Sequence, residues 1–198
     1  MRPPCGGTVT RMPRLQIIIA STRPGRAGLS IGQWVRDRAV EHGGFDVELI
    51  DLAEVNLPFL DEPKHPRLGE YFHQHTKDWS AKIAAGDAFV FVMPEYNHGY
   101  NAPLKNAIDF LYAEWQHKPV GFVSYGGVAA GTRAVQAIKP VLAVLKMTPA
   151  VESVPIPFFG QHIGADGRFN GTEAFNQAVA GMLNELKRLD GILRPSRQ

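Results

Sequence analysis

Three short, almost continuously apolar segments constrain the fold of this chain more than any other feature. They lie at residues 15–20, 88–93 and 120–124, and each is rich in β-branched or aromatic side chains. Such segments are typical of strands buried on both faces of a parallel sheet. Residues 45–51 instead alternate apolar and acidic side chains, and residues 151–154 form a weaker, partly polar fifth strand. Polar strands belong at sheet edges, so the pattern predicts the strand order 2-1-3-4-5.

Helical patterns alternate with these strands. Residues 29–42 carry an apolar face and stop at two glycines, and residues 175–189 form a last amphipathic helix with Thr172 as its N-cap. Residues 134–145 share one helical face despite Pro140, and shorter helices are expected at 76–85 and 102–112. The alternation predicts an α/β chain with the flavodoxin-like order, a five-stranded parallel sheet between two helical layers.

Composition sets the domain organisation and excludes several function classes. The 198 residues fit one domain at 14–198, preceded by a disordered tail at 1–13 that contains Cys5 and an alternative start at Met12. The net charge of +2 is too small to predict nucleic-acid binding, and no apolar run of about 18 residues predicts a membrane span. A single cysteine excludes an intrachain disulfide. We therefore expect a cytoplasmic protein with neither nucleic-acid nor membrane partners.

The loop after the first strand has the composition of a phosphate site. Residues 21–28 supply two hydroxyls, two arginines, two glycines and the start of a helix, and no acidic residue occurs between Arg14 and Asp37. Backbone N–H groups at a helix N-terminus and arginine side chains both favour phosphate. The loop lacks the glycine spacing of a dinucleotide fold and of a Walker A motif, so a monophosphate fits better.

The loops after the third and fourth strands are suited to a flat heterocycle. Residues 93–105 contain two tyrosines, two asparagines and a proline near each end, with Asn101 as a candidate cap and Pro103 in the first helical turn. His98 is only a secondary candidate for a general base. Residues 124–133 are glycine-rich, which permits close backbone approach, but the P-loop Lys-Ser/Thr is absent.

At these loops the chain resembles the NADPH-dependent FMN reductase family of flavodoxin-like flavoproteins, which includes quinone, chromate and azo-dye reductases. The resemblance extends over residues 15–157, and Pro-Glu-Tyr-Asn is its most specific motif. The matching segments are Ser21-Thr22-Arg23, Pro94-Glu95-Tyr96-Asn97, Leu104 to Asp109, and Ser124-Tyr125-Gly126-Gly127.

The resemblance implies a cofactor, a reaction and a set of site residues. It implies FMN as cofactor, NAD(P)H as co-substrate, and a ping-pong transfer to a quinone-like or other small acceptor. No catalytic side chain is assigned, because the flavin itself accepts and releases hydride. The implied cofactor-binding residues are Ser21, Arg23 and Arg26 for the phosphate, Pro94, Glu95, Tyr96 and Asn97 along the ring, and Ser124, Gly126 and Gly127 at the ring edge.

Other functions stay open at this stage. A flavodoxin-like electron carrier or a redox-sensing flavin module is the main alternative. A hydrolase using Ser124 would need a glycine where Phe122 stands. His65, His73 and His75 share one polar segment, although no fourth zinc ligand accompanies them, so no metal site is predicted.

Self-association follows from the resemblance, since family members are commonly dimers or tetramers. We expect a homodimer or homotetramer. Tyr112 and Trp115 are the interface candidates, and ordinary core packing is the alternative for both.

Overall fold

The computed structural model describes residues 11–197, and within that range all strands form one parallel sheet. The order is β2-β1-β3-β4-β5, with β6 also paired to β4, so the predicted order is confirmed. The predicted tail lies mostly outside the described residues, as does Cys5. The strands are β1 (Arg14–Ile19), β2 (Asp46–Asp51), β3 (Ala88–Pro94), β4 (Pro119–Tyr125), β5 (Thr148–Pro149) and β6 (Val154–Ile156).

The fifth position of the sheet differs from the prediction. It is occupied by two short strands, β5 and β6, and residues 151–153, where the strand was expected to begin, form a bend between them. Val120 of β4 pairs with Pro149, and Val123 pairs with Val154. Residues 150–153 therefore lie opposite only two residues of β4, 121 and 122. The extra residues form a bulge at the edge of the sheet, where an interruption breaks the fewest ladder hydrogen bonds.

Helices cover both faces of the sheet, which gives the flavodoxin-like three-layer sandwich. Two helices pack on one face of the sheet. Three longer helices and one short helix pack on the other face. Because side chains alternate along a strand, each central strand contributes side chains to the hydrophobic core on either face. The first layer contains α1 (Gly28–His42) and α6 (Glu173–Leu193), and the second contains α2 (Leu52–Val55), α3 (Gln74–Ala84), α4 (Ala102–Asp109) and α5 (Thr132–Val144).

The ends of the helices follow local capping chemistry. Thr172 caps α6, with its Oγ1 accepting from the Phe175 N–H at 3.2 Å, as predicted. Gly43 ends α1 in the left-handed conformation, at φ +67°. Helix α5 contains Pro140.

Helix α4 ends at Asp109, earlier than the predicted 112, and two tryptophans explain where it stops. The Trp79 and Trp115 indoles donate to the carbonyls of Ala107 at 2.8 Å and Ile108 at 3.1 Å. These bonds satisfy carbonyls that a longer helix would use itself. Trp115 is only 1% exposed, so of its two interpretations, interface or core packing, the structure supports core packing.

None of the helices in the described part of the chain is both long enough and apolar enough to cross a membrane.

Candidate functional site

The carboxyl ends of β1, β3 and β4 bring the three predicted loops together. Pairing places Ile19 beside Val92, and Pro94 beside Tyr125, so the loops that follow leave the same edge of the sheet. Between them lies a cavity of about 50 Å³. Its walls contain seven of the ten predicted site residues, and its lining is Ser21, Arg23, Arg26, Ala27, Pro94, Glu95, Tyr96, Tyr125, Gly126 and Phe159.

The N-terminus of α1 lies at this cavity and favours a negatively charged group inside it. Its N-cap, Ala27, makes no side-chain capping bond, and the first turn contains no acidic residue. The first N–H groups of an uncapped helix attract anions. Ser21 is buried beside this helix end, and its Oγ lies 3.5 Å from the Tyr96 hydroxyl, so it joins the first loop to the second.

Gly28, the first residue of α1, permits a close approach between this helix and the strand ends. A Cβ at this position would lie 3.2 Å from the Ser21 Cβ and 2.6 Å from the Tyr125 hydroxyl oxygen. Both contacts are tighter than side chains normally make. The absence of a side chain therefore lets the helix end sit directly against the cavity.

The two arginines of the first loop have different surroundings. The Arg26 guanidinium forms an ion pair with Asp51, whose other oxygen accepts from the Ala53 N–H at 3.0 Å and so caps α2. Arg26 thus links the first loop to the end of β2. Arg23 is exposed and has no ion-pair partner among residues 11–197. Its charge is therefore the one available to an incoming anion.

The second loop is a rigid hairpin turn. Tyr96 and Gly99 exchange backbone hydrogen bonds of 3.0 Å and 2.9 Å. The two residues between them, Asn97 and His98, both have positive φ, at 50° and 66°. A tight turn with two such residues is the geometry of a type I′ hairpin, and non-glycine residues held there store strain.

Glu95 holds the second loop to the start of α5. Its two carboxylate oxygens accept from Arg133, one from the backbone N–H at 3.2 Å and one from Nε at 2.6 Å. Arg133 also donates to the His98 Nε2 at 2.8 Å. Since arginine only donates, that histidine nitrogen is already occupied as an acceptor, which argues against the general-base role considered for His98.

The third loop is shaped by Ser124 and by positive-φ residues. The Ser124 hydroxyl is 1% exposed and donates to the Ala130 carbonyl at 2.8 Å. This proton is held by a backbone carbonyl and not by a base, so the structure gives no support to Ser124 as a nucleophile. Ala130 and Gly131, at φ 53° and 80°, turn the chain into α5.

The two predicted glycines of this loop are used differently. The Gly126 N–H bonds to the Ile156 carbonyl at 3.3 Å, which attaches the loop to β6. Gly127 has no heavy atom near the position of a Cβ, and within residues 11–197 its N–H makes no hydrogen bond. Gly127 is therefore the member of this pair that can offer an N–H group to a ligand.

Asn101 does not cap α4 with its side chain, as had been expected. Its Nδ2 donates instead to the Ala20 carbonyl at 2.6 Å, and no side chain caps the helix. The bond connects the end of β1 to the second loop. Pro103 lies in the first turn of α4, as predicted.

Tyr125 is the site residue that the sequence reasoning did not single out. It is the last residue of β4, it is buried, and its side chain faces the first loop on the α1 side of the sheet. Its ring packs edge-on against Phe159, with centroids 5.3 Å apart. The signal was its place in the Ser-Tyr-Gly-Gly motif, where alternation along β4 directs its side chain opposite to that of Ser124.

A second cavity, of about 540 Å³, opens at the same edge of the sheet between the first loop, α2 and α4. Asn106 holds one wall in place, because its amide donates to the Pro58 carbonyl at 2.7 Å and accepts from the Leu60 N–H at 3.0 Å. The lining contains no charged residue and is Thr22, Leu52, Ala53, Asn56, Leu57, Pro58, Phe59, Ala102, Pro103, Asn106 and Ala107.

The histidines of the polar segment do not assemble a zinc site. His73 and His75 stack with ring centroids 5.1 Å apart, and His75 Nε2 lies 3.0 Å from an Asp61 oxygen. His65 accepts from the Arg67 N–H at 3.1 Å. In residues 11–197, no three His, Cys, Asp or Glu side chains are arranged to hold a metal ion.

Comparison with known proteins identifies the family of this chain independently of its geometry. A family described as NADPH-dependent FMN reductase matches residues 13–161. An NAD(P)H-dependent FMN reductase of Schizosaccharomyces pombe is 43% identical over 149 residues, which cover 73% of this chain and 74% of that protein. One from a Nectria species is 33% identical over 180 residues, covering 88% and 85%.

Solved structures agree with the fold. The flavoenzyme NAD(P)H:(acceptor) oxidoreductase of Paracoccus denitrificans matches with a TM-score of 0.73 at 19% identity, covering 91% of this chain and 98% of that one. At this identity the likeness concerns the fold alone.

Proposed function

Since this chain belongs to the NADPH-dependent FMN reductase family and is an FMN-dependent oxidoreductase that uses NAD(P)H, we propose that it works by a ping-pong cycle. In this cycle NAD(P)H is oxidised first, and a small quinone-like acceptor is reduced second. NAD(P)H and H⁺ together supply the two electrons and two protons that convert a quinone to a hydroquinone. When bound, FMN supplies the hydride acceptance and release.

One observation carries the assignment of the cofactor site: the uncapped N-terminus of α1, Ser21 and Arg23 surround the cavity of about 50 Å³. This volume exceeds the ~30 Å³ that a water molecule occupies in the liquid. It is too small for a flavin ring, so it fits the phosphate group. The ring would lie outside it, along residues 94–97 and against Gly127.

In this proposal the described side chains of the site bind and orient the cofactor, and proton transfer is assigned to none of them. Arg23 and the α1 N–H groups offset the phosphate charge. Glu95 fixes the second loop through Arg133, and Ser124 fixes the third through Ala130, so both are positioning residues. The free Gly127 N–H can stabilise negative charge at the ring edge.

The neutral cavity of about 540 Å³ supports a neutral aromatic acceptor such as a quinone. Its volume is that of a small-molecule site, and its lining combines apolar surface with a few amides and a hydroxyl. An uncharged wall offers no partner to the phosphates of a nicotinamide. We place the acceptor here, with Asn106 as the residue that positions the wall around Pro58 and Leu60.

The test of the cofactor and reductant is spectroscopic. The purified protein reconstituted with FMN should show a bound-flavin absorption spectrum, which bleaches on anaerobic addition of NADPH or NADH and returns when a quinone is added. A protein that binds no FMN would contradict the whole assignment. Flavin that bleaches only with a protein partner would favour the electron carrier or sensor.

The acceptor site is tested by Asn106→Ala, which should loosen the wall of the larger cavity. We expect a severalfold higher KM for a neutral quinone, with an unchanged rate of flavin bleaching by NADPH in stopped flow. Asn176→Ala, on α6 at the opposite face of the sheet, is the matched control. Equal KM values in the two variants would contradict this acceptor site, without affecting the FMN assignment.

Self-association and a cytoplasmic location complete the proposal. Four large apolar side chains between β2 and α3 are exposed, with Phe59 at 83%, which supports this segment as the interface in place of Trp115. The four are Phe59, Leu60, Leu68 and Phe72. In sedimentation, Phe72→Glu should lower the assembly size, whereas Val151→Glu, at an even more exposed apolar residue outside this segment, should not. An unchanged assembly in both variants would contradict this interface.

A further inference from the structure

The hydroxyl of Tyr125 is a buried polar group without a partner. The residue is 4% exposed, and the oxygen makes no hydrogen bond to any described residue. Burying a hydroxyl without a hydrogen bond is unfavourable, and native structures rarely leave such a group unpaired. An orphaned hydroxyl in the wall of a cavity therefore points to a ligand atom that satisfies it.

The surroundings of this oxygen define the charge of that ligand. It lies at the N-terminus of α1, since a Cβ on Gly28 would come within 2.6 Å of it. Ser21 and Arg23 line the same cavity. The nearby carboxylates are already engaged, Asp51 with Arg26 and Glu95 with Arg133. The free groups are donors and positive charges, so the ligand is an anion that accepts hydrogen bonds.

The protonation of Tyr125 suits this role. Burial raises the pKa of its hydroxyl above the ordinary value, while the neighbouring Ser21 hydroxyl acts to lower it. The hydroxyl thus keeps its proton at neutral pH and can donate it in a hydrogen bond to a phosphate oxygen.

We propose that Tyr125 is a specificity-determining residue that donates a hydrogen bond to the cofactor phosphate and makes this chain select FMN over riboflavin. The inference rests on the proposed function and deepens it by naming what distinguishes two flavins with the same ring. Arg23 and the α1 N-terminus attract the phosphate by charge, Ser21 can donate from the first loop, and Tyr125 supplies a directional donor from the buried side.

The test compares the affinities of the apoprotein for FMN and riboflavin, measured by quenching of flavin fluorescence. Tyr125→Phe should raise the Kd for FMN about 10- to 100-fold, the effect of one hydrogen bond to a charged group. The Kd for riboflavin should stay within about twofold, because only FMN carries the phosphate. Tyr71→Phe, which removes a hydroxyl bonded to the distant Glu114, is the matched control and should change neither value.

A second measurement uses the unmodified apoprotein and does not depend on the folding of a variant. Inorganic phosphate should raise the apparent Kd for FMN and leave that for riboflavin unchanged. Equal weakening of both flavins by Tyr125→Phe, or no weakening of either, would overturn the inference. Wild-type protein that binds riboflavin as tightly as FMN would overturn it and leave the FMN reductase assignment standing. Binding of neither flavin would contradict both.

Discussion

The two edges of the sheet differ in the surroundings of their buried polar groups. At the amino edge, where the strands begin, Asp87 accepts from Arg11 at 2.7 Å and from the Arg14 N–H at 2.7 Å. Asp190 accepts from Arg194 at 2.6 Å and from Arg197 at 2.8 Å. At the carboxyl edge the Tyr125 hydroxyl has no partner in the described chain, and no side chain caps α1.

The contrast separates stabilising polar groups from binding ones. Both edges contain buried or half-buried charges, so burial of a charge alone does not identify a site. What distinguishes the carboxyl edge is that its unpaired hydroxyl lies beside an uncapped helix N-terminus, whereas the unpaired Arg197 Nη2 at the amino edge belongs to a guanidinium that already faces Asp87 and Asp190.

The largest effect is expected from breaking the ion pairs of the amino edge. Asp190→Asn leaves Arg197 without its closest carboxylate, and removing one partner of a buried pair costs about 3 kcal/mol. We expect a fall of that size in the free energy of unfolding, measured with urea, and an unchanged Kd for FMN. Glu185→Gln, which removes a surface ion pair with Arg188 on the same helix, should cost much less, because such pairs contribute little to stability. A weaker FMN affinity in Asp190→Asn would erase the functional distinction between the edges.

The amino edge should also have its own pH dependence, through Lys118. Burial lowers the pKa of this amine to about 8 from 10.5, and the Arg197 cation adds to the shift. Between these values the unfolded chain binds a proton that the folded chain has released, so the stability rises with pH across this window.

Relative to Lys118→Met, the wild-type free energy of unfolding should therefore increase by up to about 3 kcal/mol between pH 8 and 10.5. Lys187→Met, on the exposed face of α6, controls for the loss of one positive charge. A flat difference between wild type and Lys118→Met over that window would contradict the burial effect.

A smaller effect sharpens the comparison within α1, where two glycines lie four residues apart. Alanine at Gly32 would meet the Ile19 side chain in the core, and alanine at Gly28 would meet Tyr125 and Ser21 at the cavity. Overpacking of this kind costs about 1–3 kcal/mol, so both variants should lose some stability. Only Gly28→Ala should also weaken FMN binding, by severalfold in a fluorescence titration. Equal FMN affinities in the two variants would show that the helix end does not contact the phosphate.

Much of the fold was accessible from sequence patterns. Strand order followed from which segments are apolar on both faces, since only central strands are covered on both sides. The fifth strand was misplaced because residues 150–153 form a bulge between β5 and β6, and a bulge breaks the alternation on which the prediction depends. The sequence left Trp115 open between an interface and the core, because apolar character does not reveal whether another segment of the same chain covers a residue.

The sequence by itself determined the strand order, the convergence of three loops at one edge of the sheet, and the family, because these depend on local periodicity and contiguous motifs. The tertiary structure alone decided which side chains are free to bind. Arg26 pairs with Asp51, Ser124 bonds to Ala130, and the Tyr125 hydroxyl is left without a partner beside α1. The availability of a polar group depends on neighbours that the fold brings from distant or differently oriented segments, and no local pattern records them.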